Sequence, residues 1–530
     1  MFDVVIAGGD VYDGTGGEPV RADVGVLGDR LALIGRDLAP GAGAVIDATG
    51  KAVCPGFINI LSHSYLSILH DPRSLGELTQ GVTTEVFGEG MSMGPLTPRM
   101  KAELRGRGDL DYEVTWTRLC EYLRHVERRG AAQNVASFIG GGTLRANAVG
   151  YDDRPATQGE LERMRALVAE EMADGALGIA SALIYPPGSY AGTAELTELC
   201  KVAAEYDGCY ASHVRGEGET LQEAITEFLG IVRDAGLRGE VFHLKASGRP
   251  SWHRMNGAIE LIERSRAAGV PVTADVYPYT ASSTGLTSII PGRYHEGGTD
   301  ALYGRLGDPR VRAEIRAELS SSGRWGDETE AENVLILQTG REENRRWQGR
   351  TLAEIAAATS ADPIEAAMDL IASDRTRIQV AFFSMSEENL RAALARPWVA
   401  ISSDGTSMAP EGAFLRAPTH PRAYGSFARV LGHYARDEKV LPLAEAIRRM
   451  SSLPAATLGL RERGVLRAGF FADVVVFDPA TVADRATFGD PHQLSAGVSE
   501  VLVNGKVTIS SGTFSGELAG RALAGPGARR

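Results

Sequence analysis

The sequence is poor in cysteine and has no long apolar run. Its four cysteines, Cys54, Cys120, Cys200 and Cys209, are scattered over 530 residues, and no two of them form a CxxC pair. This spacing gives no disulfide framework and favours a reducing compartment. The first residues show neither a basic n-region nor an apolar h-region, and no stretch is long enough to span a bilayer. We therefore expect a cytoplasmic protein without membrane contacts.

The sequence also lacks an excess of basic residues. Lysine and arginine total 55 against 68 aspartates and glutamates, which gives a net charge of −13. This balance argues against nucleic acid and against an anionic membrane surface as the main partner. The length predicts either one large barrel with appended pieces or two to three domains, and it leaves an oligomer possible.

Short strands separated by turn residues occupy both ends of the chain. The segments 1–53 and 462–530 each contain runs such as FDVVI and ADVVVF between clusters of glycine, proline and aspartate. This pattern predicts one small β-sandwich domain built from both termini, with a catalytic body inserted between them. We expect the last residues, GRALAGPGARR, to be frayed.

Between these ends, strand candidates alternate with helical stripes. The alternation is typical of βα units and predicts an α/β fold with a (β/α)8 TIM barrel over 54–284 and 351–461. The excess of residues at 285–350, between strands seven and eight, predicts a lid insertion. The predicted strands lie near 53–61, 82–87, 134–139, 176–183, 209–213, 240–244, 271–277 and 398–404. The predicted helices lie at 114–128, 158–173, 194–205, 220–235 and 256–268.

Two histidines lie near the ends of consecutive predicted strands. The run CYAS stops at His213, and the run VFHL carries His243, with helix 220–235 between them. Active sites of βα barrels form where the strands end, and neighbouring parallel strands end side by side. The two imidazoles are therefore placed to bind one metal ion. Either alone is more often a satisfied polar residue, and the metal hypothesis depends on the pair.

Six motifs together resemble the D-aminoacylase (N-acyl-D-amino-acid deacylase) family of the amidohydrolase superfamily. They are spread over nearly the whole chain: PGFINILSH at 55–63, SHVRGEGE at 212–219, FHLKASG at 242–248, DVYPYTASST at 275–284, SSDG at 402–405 and HPRAYGSFARVLG at 420–432. The resemblance implies zinc-dependent hydrolysis of the amide bond of N-acyl-D-amino acids, in which a metal-bound hydroxide attacks the acyl carbonyl. It also implies a small-molecule substrate that carries a carboxylate.

The resemblance implies a metal site made of His213, His243 and a third residue after strand two. Most family members have a cysteine there, in a GNCG stretch, whereas this chain reads GEGMSMGP and places Glu89 at that position. A carboxylate is also a zinc ligand. The superfamily's first-strand Asp-x-His-x-His motif is degenerate here, because Leu61 replaces its first histidine. We therefore expect one firmly bound zinc ion per chain instead of two.

The same resemblance assigns roles to further residues. Asp404 is the expected general base and acid at the end of strand eight, Tyr185 a second donor to the oxyanion, and His63 a residue that orients water or substrate. A guanidinium binds a carboxylate with two hydrogen bonds, which makes Arg422 the expected carboxylate-binding residue. The other expected substrate contacts are Tyr277, Ser283 and Lys245. For Lys245, pairing with a neighbouring acid and a plain exposed charge are alternatives that the sequence leaves open.

Two alternatives remain open from the sequence. The first is a cyclic-amide hydrolase of the hydantoin or dihydropyrimidine type, which often uses a carboxylated lysine on strand four, but strand 176–183 has no lysine. The second, which Leu61 keeps open, is a metal-poor binding protein or a biosynthetic acyl-transfer or cyclisation catalyst. Metal content, together with loss of activity on chelation, separates an enzyme from a binding protein.

Overall fold

The computed structural model describes residues 1–105, 112–321 and 329–529. The strands are β1 (Val4–Val11), β2 (Val20–Leu27), β3 (Arg30–Gly35), β4 (Ala44–Asp47), β5 (Ala52–Pro55), β6 (Phe57–Asn59), β7 (Val82–Phe87), β8 (Asn134–Ser137), β9 (Ile139–Gly140), β10 (Gly178–Ala182), β11 (Cys209–His213), β12 (Arg238–Val241), β13 (Val272–Val276), β14 (Ser282–Gly285), β15 (Val334–Gln338), β16 (Gln379–Phe382), β17 (Val399–Ile401), β18 (Val474–Phe477), β19 (Val498–Val503), β20 (Lys506–Ser510) and β21 (Thr513–Phe514).

The α-helices alternate with the strands in the middle of the chain. They are α1 (Ser67–His70), α2 (Leu75–Leu78), α3 (Pro98–Arg105), α4 (Leu119–Arg129), α5 (Gly141–Ala148), α6 (Gln158–Ala173), α7 (Thr193–Ala204), α8 (Leu221–Ala235), α9 (Arg254–Ala267), α10 (Thr299–Arg305), α11 (Pro309–Ser321), α12 (Thr329–Glu332), α13 (Leu352–Thr359), α14 (Pro363–Asp374), α15 (Glu387–Leu394), α16 (Arg422–Arg429), α17 (Leu443–Met450) and α18 (Ser452–Leu458). A π-helix, Val430–Asp437, continues α16.

Both termini contribute to one nine-stranded sheet. Its order is β21-β20-β19-β18-β5-β1-β2-β3, and β4 pairs with β1. The two halves join where β18 runs antiparallel to β5, with Val475 opposite Cys54. Alternate side chains from the two ends, such as Val24 and Val474, pack into one apolar cluster. The prediction of a β unit shared by both termini is therefore confirmed.

The central strands form two parallel sheets. One has the order β6-β7-β8 and the other β17-β13-β12-β11-β10-β9. The sheets adjoin at one side through Phe138, which separates β8 from β9, and at the other through a parallel bridge between Ser62 and Gly405. Inward-facing residues from both sheets, among them Leu61, Phe138 and Phe242, share one apolar cluster. A closed eight-stranded barrel remains a prediction that these contacts support.

The segment between β13 and β17 contains a separate small sheet. Its order is β14-β16-β15, all antiparallel, and α10 to α14 pack around it with their own apolar core, which includes Leu286, Ile336 and Val380. The lid limits 285–350 stay a prediction, and residues 322–328 of that range lie outside the described part of the chain.

One predicted helix begins later than expected. The segment 114–128 was predicted as helix from its apolar spacing, but α4 begins at Leu119, after an extended Arg118. Val114 and Trp116 are buried, but they lie outside any helix. The Glu121 carboxylate accepts hydrogen bonds from the backbone N–H groups of Thr117 and Arg118 at 2.7 and 3.0 Å, which fixes the helix start there.

The C-terminal tail is attached to the body, so the prediction of a frayed end is wrong for its described residues. Gly520 N–H donates to Ala131 O at 2.7 Å, Leu523 N–H to Val135 O at 2.8 Å, and Gly525 N–H to Gly175 O at 2.8 Å. A Cβ at Gly520 would lie only 1.9 Å from Gln133 O. Glycine permits this close approach of two backbones, a cue that composition alone does not reveal.

Within residues 1–105, 112–321 and 329–529, no helix combines the length and the apolar character needed to cross a bilayer.

Candidate metal centre and active site

The two strand-end histidines lie against each other. His213 is the last residue of β11, and His243 follows β12 by two residues; their ring centroids are 4.4 Å apart. His243 has φ 37°, a left-handed conformation that is uncommon for residues other than glycine. Its N–H donates to the buried Asp275 carboxylate at 3.1 Å, which stabilises this turn of the chain. The predicted proximity of the two imidazoles is therefore observed.

Glu89 completes this group from the loop after β7. Its Oε1 atom lies 3.1 Å from His213 Nδ1 and 3.0 Å from His243 Nε2. The glycines on either side have φ of 111° (Gly88) and 62° (Gly90), and a Cβ at Gly90 would lie 2.6 Å from the Cβ of Ala182. Glycine at these positions lets the loop press against β10 and project Glu89 toward the histidines.

These three residues have the chemistry of a zinc site. Their nearest ligand atoms all lie within 4.8 Å of one another. Zinc bonds of about 2.0–2.1 Å in tetrahedral geometry separate ligand atoms by roughly 3.3 Å, close to the two contacts of Glu89. The nitrogens that face Glu89 are His213 Nδ1 and His243 Nε2, so these are the two that would bind the metal. Two imidazole nitrogens and a carboxylate oxygen thus fit a zinc ion.

A second group of possible ligands shares Glu89. His63 Nε2 lies 3.1 Å from the other Glu89 oxygen, Oε2, and 3.0 Å from Asp404 Oδ1. Leu61, at the position of the missing family histidine, is buried in the apolar cluster between the parallel sheets. This second group therefore has one imidazole, and its two other members are carboxylates.

Arg422 lies at the start of α16 and is buried beside Asp404. Its Nη1 donates to Asp404 Oδ2 at 2.6 Å, its Nη2 donates to Ser283 O at 3.2 Å, and the guanidinium lies 4.8 Å from the centre of the Tyr277 ring. Burial opposes ionisation of Asp404, but the Arg422 charge and the His63 contact outweigh it, so the pKa of Asp404 lies below its ordinary value. Asp404 is consequently ionised at neutral pH and held from both sides.

Tyr185 lies on the other side of the histidine pair. Its ring centroid is 5.4 Å from that of His213, and its hydroxyl donates to Thr284 Oγ1 in β14 at 2.8 Å. Burial raises the pKa of Tyr185, so its hydroxyl keeps its proton. The buried Tyr277 packs between the His243 ring and Arg422, and its hydroxyl contacts Met385 Sδ at 3.5 Å. Every residue selected from the sequence therefore lies in one neighbourhood.

Comparison with known proteins identifies the family of this chain. The profile of the Amidohydrolase family matches residues 44–509. A D-aminoacylase from Alcaligenes xylosoxydans xylosoxydans is 35% identical over 528 residues, covering 99% of this chain and 98% of the relative. The chain is a D-aminoacylase-type amidohydrolase. The resemblance inferred from the motifs is thus confirmed.

Solved structures of D-aminoacylase-type amidohydrolases superpose over the whole length. N-acyl-D-glutamate deacylase from Bordetella bronchiseptica, in complex with zinc and a phosphonate inhibitor, shares 32% identity, and each chain covers 99% of the other with a TM-score of 0.82. A D-aminoacylase with a binuclear metal centre, described as having one-metal activation and second-metal attenuation, shares 34% identity with the same TM-score and covers 99% of this chain and 100% of its own. The hydrolase class and the α/β amidohydrolase fold follow from these matches.

One polar residue of this amidohydrolase site, Glu217, was not selected from the sequence. Its Oε1 lies 2.6 Å from Lys245 Nζ, 3.2 Å from His243 Nδ1 and 3.4 Å from His213 Nε2. Lys245 also contacts His243 Nδ1 at 2.7 Å, so this lysine is paired with a neighbouring acid. Glu217 faces the outer nitrogens of both histidines. The available signal was its position four residues after His213 in the SHVRGEGE motif.

Proposed function

We propose that this amidohydrolase removes the acyl group from N-acyl-D-amino acids with one zinc ion held by Glu89, His213 and His243. The observation that carries the proposal is the convergence of both imidazoles on one oxygen of Glu89, at 3.0 and 3.1 Å. When bound, zinc lowers the pKa of a coordinated water and polarises a carbonyl oxygen. The outer carboxylate of Glu217 would orient both rings, as second partners of zinc-binding histidines commonly do.

Asp404 has the position and charge of the general base. It is ionised at neutral pH, buried, and next to both Glu89 and His63. In the proposed reaction it accepts the proton of the attacking water and then delivers it to the leaving amine. His63, 3.0 Å from Asp404 Oδ1, orients this carboxylate. The Tyr185 hydroxyl would turn its one proton from Thr284 Oγ1 to the oxyanion that develops on the acyl oxygen.

The substrate carboxylate would bind on the Arg422 side. Arg422 uses one nitrogen for Asp404 and another for Ser283 O, which leaves further N–H groups of its fork for a carboxylate. Tyr277 and Ser283 flank this guanidinium and complete the proposed pocket. Lys245 is paired with Glu217, and a contact with the substrate is proposed in addition to that pairing. A small, carboxylate-bearing molecule is thus the proposed partner.

A single zinc ion is proposed because the second group of ligands is incomplete. Leu61 supplies no ligand, and Asp404 Oδ2 is already bonded to the positive Arg422 guanidinium at 2.6 Å. A cation next to Asp404 would face that charge at short range.

The four cysteines are unpaired, which supports a proposed location in the reducing cytoplasm.

The test is zinc content together with hydrolysis, measured on the full chain and on His213→Ala. His253→Ala, an exposed histidine just before α9 that belongs to none of the possible metal-binding groups of the described residues, is the matched control. We expect about one zinc per chain in the wild type and the control, and its loss together with amine release from N-acetyl-D-amino acids in His213→Ala. Two zinc ions per wild-type chain would overturn the one-metal proposal. Zinc without hydrolysis of any N-acyl amino acid, D or L, would favour the binding-protein or biosynthetic alternative.

A further inference from the structure

His420 is a buried histidine that lies outside the zinc centre and takes no part in the proposed reaction steps. It precedes Arg422 by two residues, just before α16, and only 3% of its surface is exposed. Both of its ring nitrogens have partners in the protein. Nδ1 lies 3.0 Å from the backbone N of Arg422, and Nε2 lies 2.9 Å from the backbone O of Ala281. The ring therefore joins two segments that are 139 residues apart in the chain.

The two partners fix the protonation state of this imidazole. A backbone N–H can only donate, so Nδ1 must be free of a proton in order to accept the bond from Arg422. A carbonyl oxygen can only accept, so Nε2 must carry the proton that is donated to Ala281 O. His420 is therefore neutral, with its single proton on Nε2. A second proton, on Nδ1, would face the Arg422 N–H and break that bond.

The surroundings of the ring support the neutral form. Burial and the positive charge of Arg422 lower the pKa of His420 well below its ordinary value, and the Asp404 carboxylate opposes them only in part. Three aromatic rings meet the imidazole edge-to-face, an arrangement that aromatic pairs prefer and that fixes its orientation. Their centroids lie 6.3, 5.4 and 4.8 Å from that of His420, and they belong to Tyr277, Tyr279 and Phe488, respectively.

The hydrogen bonds of His420 connect two parts of the proposed carboxylate pocket. One bond holds the main chain of Arg422, whose guanidinium is the proposed carboxylate-binding group. The other holds Ala281, which directly precedes β14. In β14, Ser283 O accepts from Arg422 Nη2 at 3.2 Å. The backbone of Arg422 and its side chain are therefore both tied to the same strand, one through His420 and the other directly.

We propose that His420 is a positioning residue for the substrate carboxylate and acts through Arg422. The inference rests on the proposed function, in which Arg422 binds that carboxylate. The first N–H groups of a helix have no partner within the helix, and the first residue of α16 is Arg422. His420 Nδ1 accepts from this N–H, while Nε2 anchors the ring next to β14. The guanidinium thus presents its remaining N–H groups to the substrate in one geometry, which saves the cost of ordering it on binding.

The experiment measures kcat and KM of the full-length, zinc-loaded enzyme on an N-acetyl-D-amino acid and on its analogue with an amide in place of the carboxylate. In His420→Asn, the side-chain oxygen lies near the place of Nδ1 and keeps an acceptor for Arg422, whereas His420→Leu loses both hydrogen bonds. We expect KM for the carboxylate substrate to rise about tenfold in His420→Leu and about threefold in His420→Asn, with kcat nearly unchanged. For the amide analogue, kcat/KM should change little in either variant.

His492→Leu is the matched control. Both ring nitrogens of His492 are also engaged, by Tyr424 Oη at 3.1 Å and by Ala417 O at 2.9 Å. Its contact with α16 is made through Tyr424, so its loss should leave both substrates unaffected. A wild-type KM in His420→Leu would overturn the inference. Losses of the same size on both substrates, or a His420→Asn as impaired as His420→Leu, would overturn it too.

Two further readouts keep the inference testable. In ¹⁵N NMR of histidine-labelled protein, with His420→Asn to assign the signals, His420 should show one protonated and one bare nitrogen from pH 5 to pH 8, and uptake of a second proton in this range would overturn the inference. If neither His420 variant folds, Phe488→Leu carries the kinetic test. It removes a packed ring but neither hydrogen bond, and should raise KM selectively for the carboxylate substrate; an unchanged KM would count against the inference.

Failure of the proposed function gives a different result. A wild type that releases no amine from any N-acyl amino acid rejects the proposed function, and calorimetric binding of the N-acetyl-D-amino acid then replaces KM. Weaker binding in His420→Leu, restored in part in His420→Asn, would support the positioning role. Equal binding in the wild type and His420→Leu would overturn it, and a wild type that binds no N-acetyl-D-amino acid would overturn both.

Discussion

Arg422 and Asp404 form a buried ion pair in which the guanidinium Nη1 lies 2.6 Å from Oδ2 of the carboxylate. The pair places a fixed positive charge beside the proposed general base and leaves Asp404 Oδ1 facing His63. Removing one member of such a pair leaves the other as an uncompensated buried charge, at a cost of about 3–5 kcal/mol. Substitutions here should therefore keep the charge and change only its geometry.

Arg422→Lys tests the carboxylate-binding role. Lysine keeps the charge but lacks the planar fork, so kcat/KM for N-acetyl-D-amino acids should fall about 100-fold, mainly through KM. For a substrate analogue with an amide in place of the carboxylate, the same substitution should lower kcat/KM only slightly. Arg429→Lys, about two helical turns further along α16 and bonded to Pro278 O, should leave kcat/KM unchanged for both the carboxylate and the amide substrate. Equal losses on both substrates would argue that Arg422 acts only through Asp404.

Glu89→Gln tests the third zinc ligand. The amide removes the negative charge that both histidines face, so zinc affinity should fall at least about 100-fold in competition with a chelator. Glu103→Gln, in α3 and paired with Arg99 at 2.9 Å, is the matched control and should bind zinc like the wild type. Unchanged zinc affinity in Glu89→Gln would show that another residue completes the site.

Gly90→Ala tests the close approach of the Glu89 loop to β10. The added methyl would meet Ala182 at 2.6 Å, so the loop should shift, zinc content should fall, and the protein should lose about 2 kcal/mol or more of unfolding free energy. Gly236→Ala has a similar φ of 73° but no atom within 4 Å, and should cost only about 1 kcal/mol with full zinc content. Urea unfolding and elemental analysis give both readouts, and equal effects of the two variants would contradict the steric argument.

Glu171 should make stability depend on pH. Burial raises its pKa from 4.5 to about 7, with the Arg118 charge opposing this only in part. The native state therefore keeps a proton that the unfolded chain releases, so this group's contribution to stability is full below pH 4.5 and is lost as pH rises through 7. Glu171→Gln should remove the loss and, at pH 8, be more stable than the wild type by up to about 3 kcal/mol. The measurement is urea unfolding of the wild type and of Glu171→Gln at pH 5 and pH 8. The same difference in unfolding free energy at both pH values would contradict the prediction.

The sequence predicted the residues whose positions follow from strand periodicity. His213 and His243 lie near the ends of apolar runs, and parallel pairing alone brings such ends together. Asp404 and Arg422 came from short motifs of the family. Glu217 was missed because a loop without periodicity returns it to both imidazoles.

Contacts that apolar spacing does not encode escaped the sequence for a related reason. The start of α4 depends on the Glu121 side chain bonding to the residues before it, which competes with the apolar spacing that predicted an earlier start. Glu85 lies within the otherwise apolar and β-branched run VTTEVF, where nothing shows that Ser62 will bond to it from another strand. The docking of the tail likewise depends on backbone groups, which carry no side-chain signal.

The pairing of β18 with β5 gives the order in which the protein becomes complete during synthesis. The first strands leave the ribosome with the edge of β5 unpaired, and more than 400 residues separate it from the strand that covers it. An unpaired edge is a template for wrong pairing until its partner arrives. A ribosome that stalls before β18 would release a chain whose parallel strands are all present but whose first sheet remains open. In such a chain the first sheet stays open until β18 pairs with β5, which makes this pairing a late step of assembly.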